Sequence, residues 1–253
     1  MSSDKSVARA DDPNVSPHPA SSLPFPVVGL GASAGGIQAL LRFFESAPAD
    51  MDMAFVVVLH LSPEHESSVD QVLQRVTRMP VAQVVGSTQI QKNHVYVISP
   101  SKNLTMNDGH LLVTESDGPR GRPVAIDLFF RSLAQVHRER AMAVILSGSG
   151  SDGAVGIGQI KEFAGITIAQ SPDDAEYPAM PQSAIATHMV DFVLPVVDIP
   201  QQLIRLWGNA RVIQLPNIEP DERVKIDEDN AAKADRSVDL RLPERPIGAA
   251  GMA

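Results

Sequence analysis

The chain has 253 residues, is 43% hydrophobic and carries a formal net charge of −9 at pH 7. This length and apolar content suffice for one sizeable core, and the acidic charge argues against a general nucleic-acid binder. The absence of cysteine excludes disulfide frameworks and thiolate metal sites. Because no apolar stretch reaches membrane-spanning length and the start lacks a signal-peptide pattern, we predict a cytoplasmic protein without membrane insertion.

The two ends of the chain differ in composition from its centre. Residues 1–24 contain Ser, Asp and four prolines but almost no large apolar side chain. Such a segment cannot offset the entropy lost on ordering, so we predict a disordered leader. Residues 211–253 are again polar and charged, which predicts a disordered tail or linker. One folded domain is therefore expected over residues 25–210.

The first predicted strand ends in a turn of small residues that contains one hydroxyl. Val27 and Val28 belong to an apolar run, and apolar residues at helical spacing follow from Ile37 to Phe44. Ser33 therefore lies between a strand and a helix whose first amides can donate to an anionic oxygen. The flanking glycines allow sharp backbone angles and the close approach of a second molecule. A nucleophilic serine needs this setting, although a tight turn with an incidental serine has the same pattern.

A rival interpretation of the same turn is a dinucleotide site. Gly29, Gly31 and Ala34 fit the G-x-G-x-x-A fingerprint between a strand and a helix. That fold places Asp or Glu at the end of its second strand to hold the ribose. Here the second predicted strand, residues 54–59, is followed by His60, which disfavours the dinucleotide interpretation.

The middle of the chain predicts a helix and then several short strands. Apolar residues between Val69 and Val76 have helical spacing. We interpret the strands that follow as an antiparallel edge or insertion, with a hairpin turn at Asn107-Asp108-Gly109. These strands span residues 81–85, 94–98, 104–106 and 111–114. Residues 117–123 are rich in Gly, Pro and Arg, which predicts a mobile loop over a site.

The last third of the chain alternates between helices and strands. A continuous apolar strand, residues 141–146, ends in a second small-residue turn that contains Asp152. The remaining predicted elements are helices at 126–137 and 154–163, strands at 165–169 and 192–194, a short helix after Pro181, and a last helix with Trp207. This alternation predicts an α/β fold: a doubly wound, mostly parallel sheet with helices on both faces and a small antiparallel hairpin insertion.

Three side chains that could act together each follow an apolar strand. Ser33, His60 and Asp152 should meet at one edge of the sheet, because the carboxyl ends of parallel strands lie together. A serine hydroxyl becomes a good nucleophile when an imidazole takes its proton and a carboxylate orients that imidazole. The trio therefore predicts a nucleophile, a base and an orienting acid. Its chain order differs from the serine, acid, histidine order of α/β-hydrolases, which indicates another scaffold.

Several segments of the sequence resemble the catalytic domains of CheB-type methylesterases of bacterial chemotaxis. The three signatures are Gly31-Ala32-Ser33-Ala34-Gly35-Gly36, the strand that ends at His60, and Leu146-Ser147-Gly148-Ser149-Gly150-Ser151-Asp152-Gly153-Ala154. Residues 122–132 and 180–186 match as well, so the resemblance covers about residues 25–207. It is closest to the form that is fused to a methyltransferase and sensor modules.

The resemblance implies hydrolysis of glutamate methyl esters on chemoreceptor-like signalling proteins through an acyl-enzyme, without metal or cofactor. It implies Ser33 as nucleophile, His60 as base and Asp152 as its partner. For the oxyanion and the substrate we expect contacts from Ala34, Gly35, Ser149, Gly150, Arg122 and Met180. A methylated chemoreceptor is the expected substrate, and a methyltransferase or a sensor kinase is the expected partner. Deamidation of glutamine by the same acyl chemistry stays open.

The sequence departs from the family pattern at two site positions. Ala34 stands where receptor-acting members commonly carry Thr, and Ser149 stands where they commonly carry Met. The usual amino-terminal receiver domain is missing from the chain, so we expect activity without phosphorylation. A non-catalytic signalling or binding module of the same fold remains the alternative function. A metal site at His60 and His65 is disfavoured, because their spacing does not place two ligands on one helical face.

Overall fold

The computed structural model describes residues 21–59, 69–99, 102–115 and 124–212. Within these residues the strands are β1 (Val27–Ala32), β2 (Ala54–Leu59), β3 (Val81–Val84), β4 (Thr88–Gln89), β5 (Val95–Ile98), β6 (Lys102–Asn107), β7 (His110–Glu115), β8 (Ala141–Ile145), β9 (Ile166–Gln170) and β10 (Phe192–Leu194). The α-helices are α1 (Gly36–Ser46), α2 (Val69–Gln74), α3 (Ala125–His137), α4 (Ala154–Glu162), α5 (Ala179–Ile185) and α6 (Ile199–Val212).

Seven of the described strands form one parallel sheet in the order β10-β9-β8-β1-β2-β5-β3. β1 lies in the middle, where Gly31 is in register with Val58 of β2 and with Ile145 of β8. Every residue of these three strands is buried. Burial on both faces explains why they appear in the sequence as unbroken apolar runs rather than as alternating patterns.

Helices cover both faces of this sheet and give it two hydrophobic cores. On one face, side chains such as Phe129 of α3 and Ile157 of α4 pack against the strands. On the other face, the core includes Leu40 of α1, Leu73 of α2 and Leu203 of α6. The predicted doubly wound α/β fold is therefore confirmed.

The two glycines of the dinucleotide-like pattern have a packing role in β1. A Cβ atom on Gly29 would lie 2.8 Å from Cε1 of Phe130, and one on Gly31 would lie 2.6 Å from Cγ2 of Ile126. Both contacts are with α3, so glycine is required for this helix to lie directly on the strand. The resemblance of these positions to a dinucleotide fingerprint thus follows from close helix–strand packing.

The predicted antiparallel insertion is correct for its second half and wrong for its first. β6 and β7 form an antiparallel hairpin through the turn at Asp108 and Gly109, and β4 extends it to three strands. β3 and β5, in contrast, join the main sheet in parallel, with Tyr96 opposite Val56 of β2. All four side chains of β5 are buried, because this strand lies inside the sheet rather than at an edge.

The described chain begins inside the predicted leader, at Ser21. The Ser21 amide donates to the carbonyl of Val136 over 2.9 Å, and its own carbonyl accepts from Nη2 of Arg140 over 2.9 Å. Leu23 packs against the core that contains α3. Residues 21–24 are thus held on the domain, while residues 1–20, the loop at 117–123 and residues 213–253 lie outside the described part. Among the described helices, none combines the length and apolar character needed to cross a membrane.

Candidate active site

Two of the three predicted site residues lie at the carboxyl edge of the sheet, on neighbouring strands. Ser33 follows β1 directly, and Asp152 lies in the segment that connects β8 to α4. We call residues 33–36 the nucleophile turn and residues 147–153 the acid turn. The amide of Ser33 donates to the carbonyl of Ser147 over 3.0 Å, which joins the two turns directly. His60 follows β2, the other neighbour of β1, and lies outside the described residues.

The nucleophile turn is tight and presents backbone amides. The amide of Gly36 donates to the carbonyl of Ser33 over 2.8 Å, and Gly35 has a φ of +68°, in the left-handed region that favours glycine. Ser33 is half-buried. The amides of Ala34 and Gly35 donate no hydrogen bond to any residue in the described ranges. These two donors at the start of α1 form a place where a negatively charged oxygen can bind.

Asp152 is held by the first turn of α3. Its Oδ2 accepts from the amide of Ile126 and its Oδ1 accepts from the amide of Asp127, both over 3.0 Å. Burial raises the pKa of Asp152 to about 6, and the nearby Asp127 carboxylate acts in the same direction against the stabilising amide hydrogen bonds. The carboxylate is therefore fixed in orientation and becomes ionised near neutral pH.

Asp127 makes the reverse contact, from α3 to α4. Its Oδ1 accepts from the amide of Gly156, in the first turn of α4, over 2.7 Å. Each of the two helices thus receives at its amino end a carboxylate from the other segment, where the helix dipole favours negative charge. Asp127 also lies in the first turn of α3 itself, so its carboxylate lies near the amino ends of both helices.

Ser147 connects three segments of the site. This side chain is 1% exposed. Its hydroxyl donates to the carbonyl of Ala34 over 2.9 Å and accepts from the amide of Tyr177 over 3.0 Å. Its amide donates to Oε1 of Gln170 over 2.9 Å. Sequence reasoning did not select Ser147, although its place at the head of the small-residue turn is the one signal that could have indicated it.

The other residues predicted to contact the oxyanion or the substrate include Ser149, Gly150, Met180 and Arg122. Ser149 and Gly150 are exposed in the acid turn, and Gly150 has a φ of +88° with open space around its Cβ position. Met180 is only 1% exposed and packs against Gly148. A buried methionine supports the acid turn and has no surface to offer a substrate. Arg122 lies outside the described residues.

Glu176 and Tyr177 flank the nucleophile turn, and sequence reasoning did not identify either residue. Oε2 of Glu176 and Cδ2 of Tyr177 each lie 2.9 Å from the position that a Cβ on Gly35 would occupy. Tyr177 is 45% exposed. These side chains come from the β9–α5 loop, which no local pattern in the sequence links to the first turn. Within the described residues no group of three His, Asp or Glu side chains could hold a metal ion.

Comparison with known proteins gives matches that cover most of the described fold. The family model described as CheB methylesterase matches residues 28–203. A Leptospira interrogans protein, named provisionally as a protein-glutamate methylesterase/protein-glutamine glutaminase, is 31% identical over 188 residues, which are 73% of this chain and 96% of that protein. A Pyrococcus horikoshii protein-glutamate methylesterase/protein-glutamine glutaminase is 32% identical over 182 residues, which are 70% of this chain and 50% of that protein.

A solved structure is similar as well. The crystal structure of the Thermotoga maritima CheB methylesterase catalytic domain matches with a TM-score of 0.66 and 26% sequence identity. The match covers 73% of this chain and 100% of the Thermotoga chain. The family match, residues 28–203, includes both the nucleophile turn and the acid turn.

Proposed function

The chain belongs to the CheB methylesterase family, and from this we propose that it hydrolyses methyl esters of glutamate side chains on chemoreceptor-like signalling proteins. One observation carries the proposal: the nucleophile turn with Ser33 is hydrogen-bonded to the acid turn with Asp152 at the carboxyl edge of neighbouring parallel strands. Open parallel sheets place their sites at this edge.

The proposed reaction has two half-reactions. In the first, Oγ of Ser33 forms a bond to the ester carbonyl carbon while His60 takes the hydroxyl proton. The carbon–oxygen bond to the methoxy group then breaks, and methanol leaves with the proton from His60. In the second, His60 takes a proton from water, the water oxygen attacks the acyl carbon, and the proton returns to Ser33 as glutamate is released.

The nucleophile turn supplies the electrostatic part of this mechanism. A negative charge develops on the carbonyl oxygen as Ser33 attacks, and amide donors aimed at that oxygen stabilise the transition state. The amides of Ala34 and Gly35 are suited to this role, since neither donates to a described residue. We also assign a contribution to oxyanion binding to the exposed Ser149-Gly150 segment of the acid turn.

Asp152 orients His60 and balances its charge in this proposal. Its raised pKa of about 6, caused first by burial, means that it is ionised above about pH 6 and protonated below. A neutral Asp152 cannot stabilise an imidazolium. Esterase activity should therefore fall on the acid side of neutrality, as Asp152 takes up a proton.

The family acts on methylated chemoreceptors, and such a receptor is the substrate that we propose for this chain. The relatives' names include glutaminase, and we extend deamidation of glutamine to this chain because it uses the same acyl-enzyme. A methyltransferase or sensor kinase partner and a cytoplasmic location also remain predictions.

The experiment that tests the proposed function measures methanol released from a receptor cytoplasmic fragment that carries glutamate methyl esters. We expect turnover by the wild type and none by Ser33→Ala. The matched control is Ser46→Ala at the other end of α1, where the hydroxyl donates only to the carbonyl of Phe43; it should retain full turnover. Binding of the fragment without methanol release would support a non-catalytic module and contradict the proposal.

A further inference from the structure

We propose that Ser147 is a positioning residue of the reaction, whose hydroxyl fixes the peptide between Ala34 and Gly35 so that the Gly35 amide faces the oxyanion. This inference rests on the proposed function of Ser33. It concerns a residue that touches neither substrate nor water, because its side chain is 1% exposed. The role would therefore be exercised through the backbone of the nucleophile turn.

The backbone amide, the backbone carbonyl and the side-chain hydroxyl of Ser147 all form hydrogen bonds. Its carbonyl accepts from the amide of Ser33, and its amide donates to Oε1 of Gln170. Its hydroxyl donates to the carbonyl of Ala34 and accepts from the amide of Tyr177. A serine hydroxyl has one proton to donate, and here that proton is used on the nucleophile turn. The position of this turn is thus set from the buried side by Ser147.

The direction of the Gly35 amide follows from peptide geometry. In a trans peptide the carbonyl and the following N–H point in opposite directions. Because the carbonyl of Ala34 points at the Ser147 hydroxyl, the N–H of Gly35 points away from it. Gly35 also has a φ of +68°, a region in which glycine is free to change conformation. Without the hydroxyl, the peptide could rotate and take the amide donor away from the oxyanion.

Gln170, which accepts from the Ser147 amide, is itself held in place by Asp174. Nε2 of Gln170 donates to Oδ2 of Asp174 over 2.8 Å, while Asp174 accepts from Nη2 of Arg42 over 2.6 Å and from the amide of Val196 over 2.9 Å. These bonds fix the Gln170 amide so that its oxygen accepts from Ser147. The Ser147 hydroxyl is thereby held in one place relative to both the sheet and α1.

The first test compares Ser147→Ala with Thr167→Val in the full chain. Thr167 is a matched control, since it is fully buried on β9 and its hydroxyl donates to the carbonyl of Met189 over 2.6 Å, at the opposite end of that strand. We expect Ser147→Ala to lower kcat for methanol release about 10- to 100-fold with KM within twofold, the pattern of a misplaced oxyanion donor. Thr167→Val should lower Tm and leave kcat unchanged.

A double-mutant cycle tests the direct link to the turn. A Cβ on Gly35 would lie 2.8 Å from Oγ of Ser147, so Gly35→Ala should collide with this hydroxyl. We expect Gly35→Ala to reduce kcat less in the Ser147→Ala background than in the wild type, because one of the three close contacts of the new Cβ is gone. The other two, with Oε2 of Glu176 and Cδ2 of Tyr177, are present in both backgrounds. The backbone strain of alanine at this φ is present in both backgrounds and cancels. Additive effects on kcat would overturn the proposal.

A second variant covers the case in which Ser147→Ala does not fold. Ser147→Cys nearly preserves the side-chain volume but replaces a strong donor by a weak one, so it should fold and show the same loss of kcat. Full kcat in either folded variant overturns the role of Ser147. If Ser33→Ala is inactive and Ser147→Ala is fully active, this inference alone fails. Turnover by Ser33→Ala would instead refute the proposed function on which it rests.

Discussion

Replacing Asp152 by Asn should separate the chemical role of this side chain from its structural one. The carboxylate accepts from two amides of α3, those of Ile126 and Asp127. An asparagine side chain has one acceptor oxygen, so its amino group would face one of these N–H groups. That unmet donor should cost about 1–3 kcal/mol of stability. Without a negative charge to hold the imidazole, kcat should fall by about 10⁴.

The control for this variant is Asp127→Asn, since Asp127 makes the equivalent contact with α4. Its Oδ1 accepts from the amide of Gly156, and the substitution should again cost about 1–3 kcal/mol. It should leave kcat at pH 8 close to that of the wild type. Because the Asp127 charge helps to raise the pKa of Asp152, its removal should also move the acid limb of the pH profile to lower pH.

The assay is methanol release between pH 5 and 9, combined with thermal unfolding of each variant. A tenth or more of wild-type activity in folded Asp152→Asn would refute the role of Asp152 as the orienting acid. So would equal losses of kcat in the two variants, since the effect would then follow from the damaged helix contacts alone. A shift of the acid limb to higher pH in Asp127→Asn would contradict the electrostatic part of the reasoning.

Three further predictions concern the scaffold. Burial lowers the pKa of His137 to about 4, so folding favours the neutral ring and stabilises the protein fully above about pH 6.5. This contribution to the free energy of unfolding is lost as the pH falls towards 4, with a slope of at most about 1.4 kcal/mol per pH unit. His137→Leu should flatten the acid side of the Tm profile, and an unchanged profile would contradict this. Gly31→Ala places a Cβ 2.6 Å from Cγ2 of Ile126 and should cost about 1–3 kcal/mol in denaturant unfolding; a neutral effect would show that α3 can move away. Deletion of residues 1–20 should leave Tm and esterase rate unchanged, whereas deletion of 1–24 should lower Tm by several degrees through lost contacts with α3. A tenfold higher rate after either deletion would identify the leader as an inhibitor.

The sequence predicted the parallel core and the place of its polar turns. β1, β2 and β8 are apolar throughout, and the turns after β1 and β8 contain the predicted site residues Ser33 and Asp152. Strands buried on both faces are easily recognised because hydrophobicity is continuous. Parallel pairing of consecutive strands then places their ends together without further information.

The features that the sequence did not predict all depend on contacts between distant segments. A short apolar strand such as β5 has the same sequence pattern inside a sheet and at its edge. Its position inside the sheet follows from its pairing with β2, at Val56, which the sequence does not show. The exchange of carboxylates between α3 and α4 requires the two helices to be neighbours. The burial of Met180 and the links of Ser147 to Tyr177 likewise arise from how the β9–α5 loop folds over the edge.

The central claim is that Ser33 is the nucleophile at the carboxyl edge of the sheet. It is tested most directly by trapping this serine with a covalent reagent. The full chain is treated with a fluorophosphonate, which forms a phosphorus–oxygen bond to an activated serine as fluoride leaves, and the adduct is located by peptide mass spectrometry. We predict one adduct, on Ser33, and none in Ser33→Ala. We also predict none in wild type that is mixed rapidly with the reagent after addition of excess methyl-esterified receptor fragment. An adduct on another serine, or no adduct in protein that releases methanol, would contradict the account.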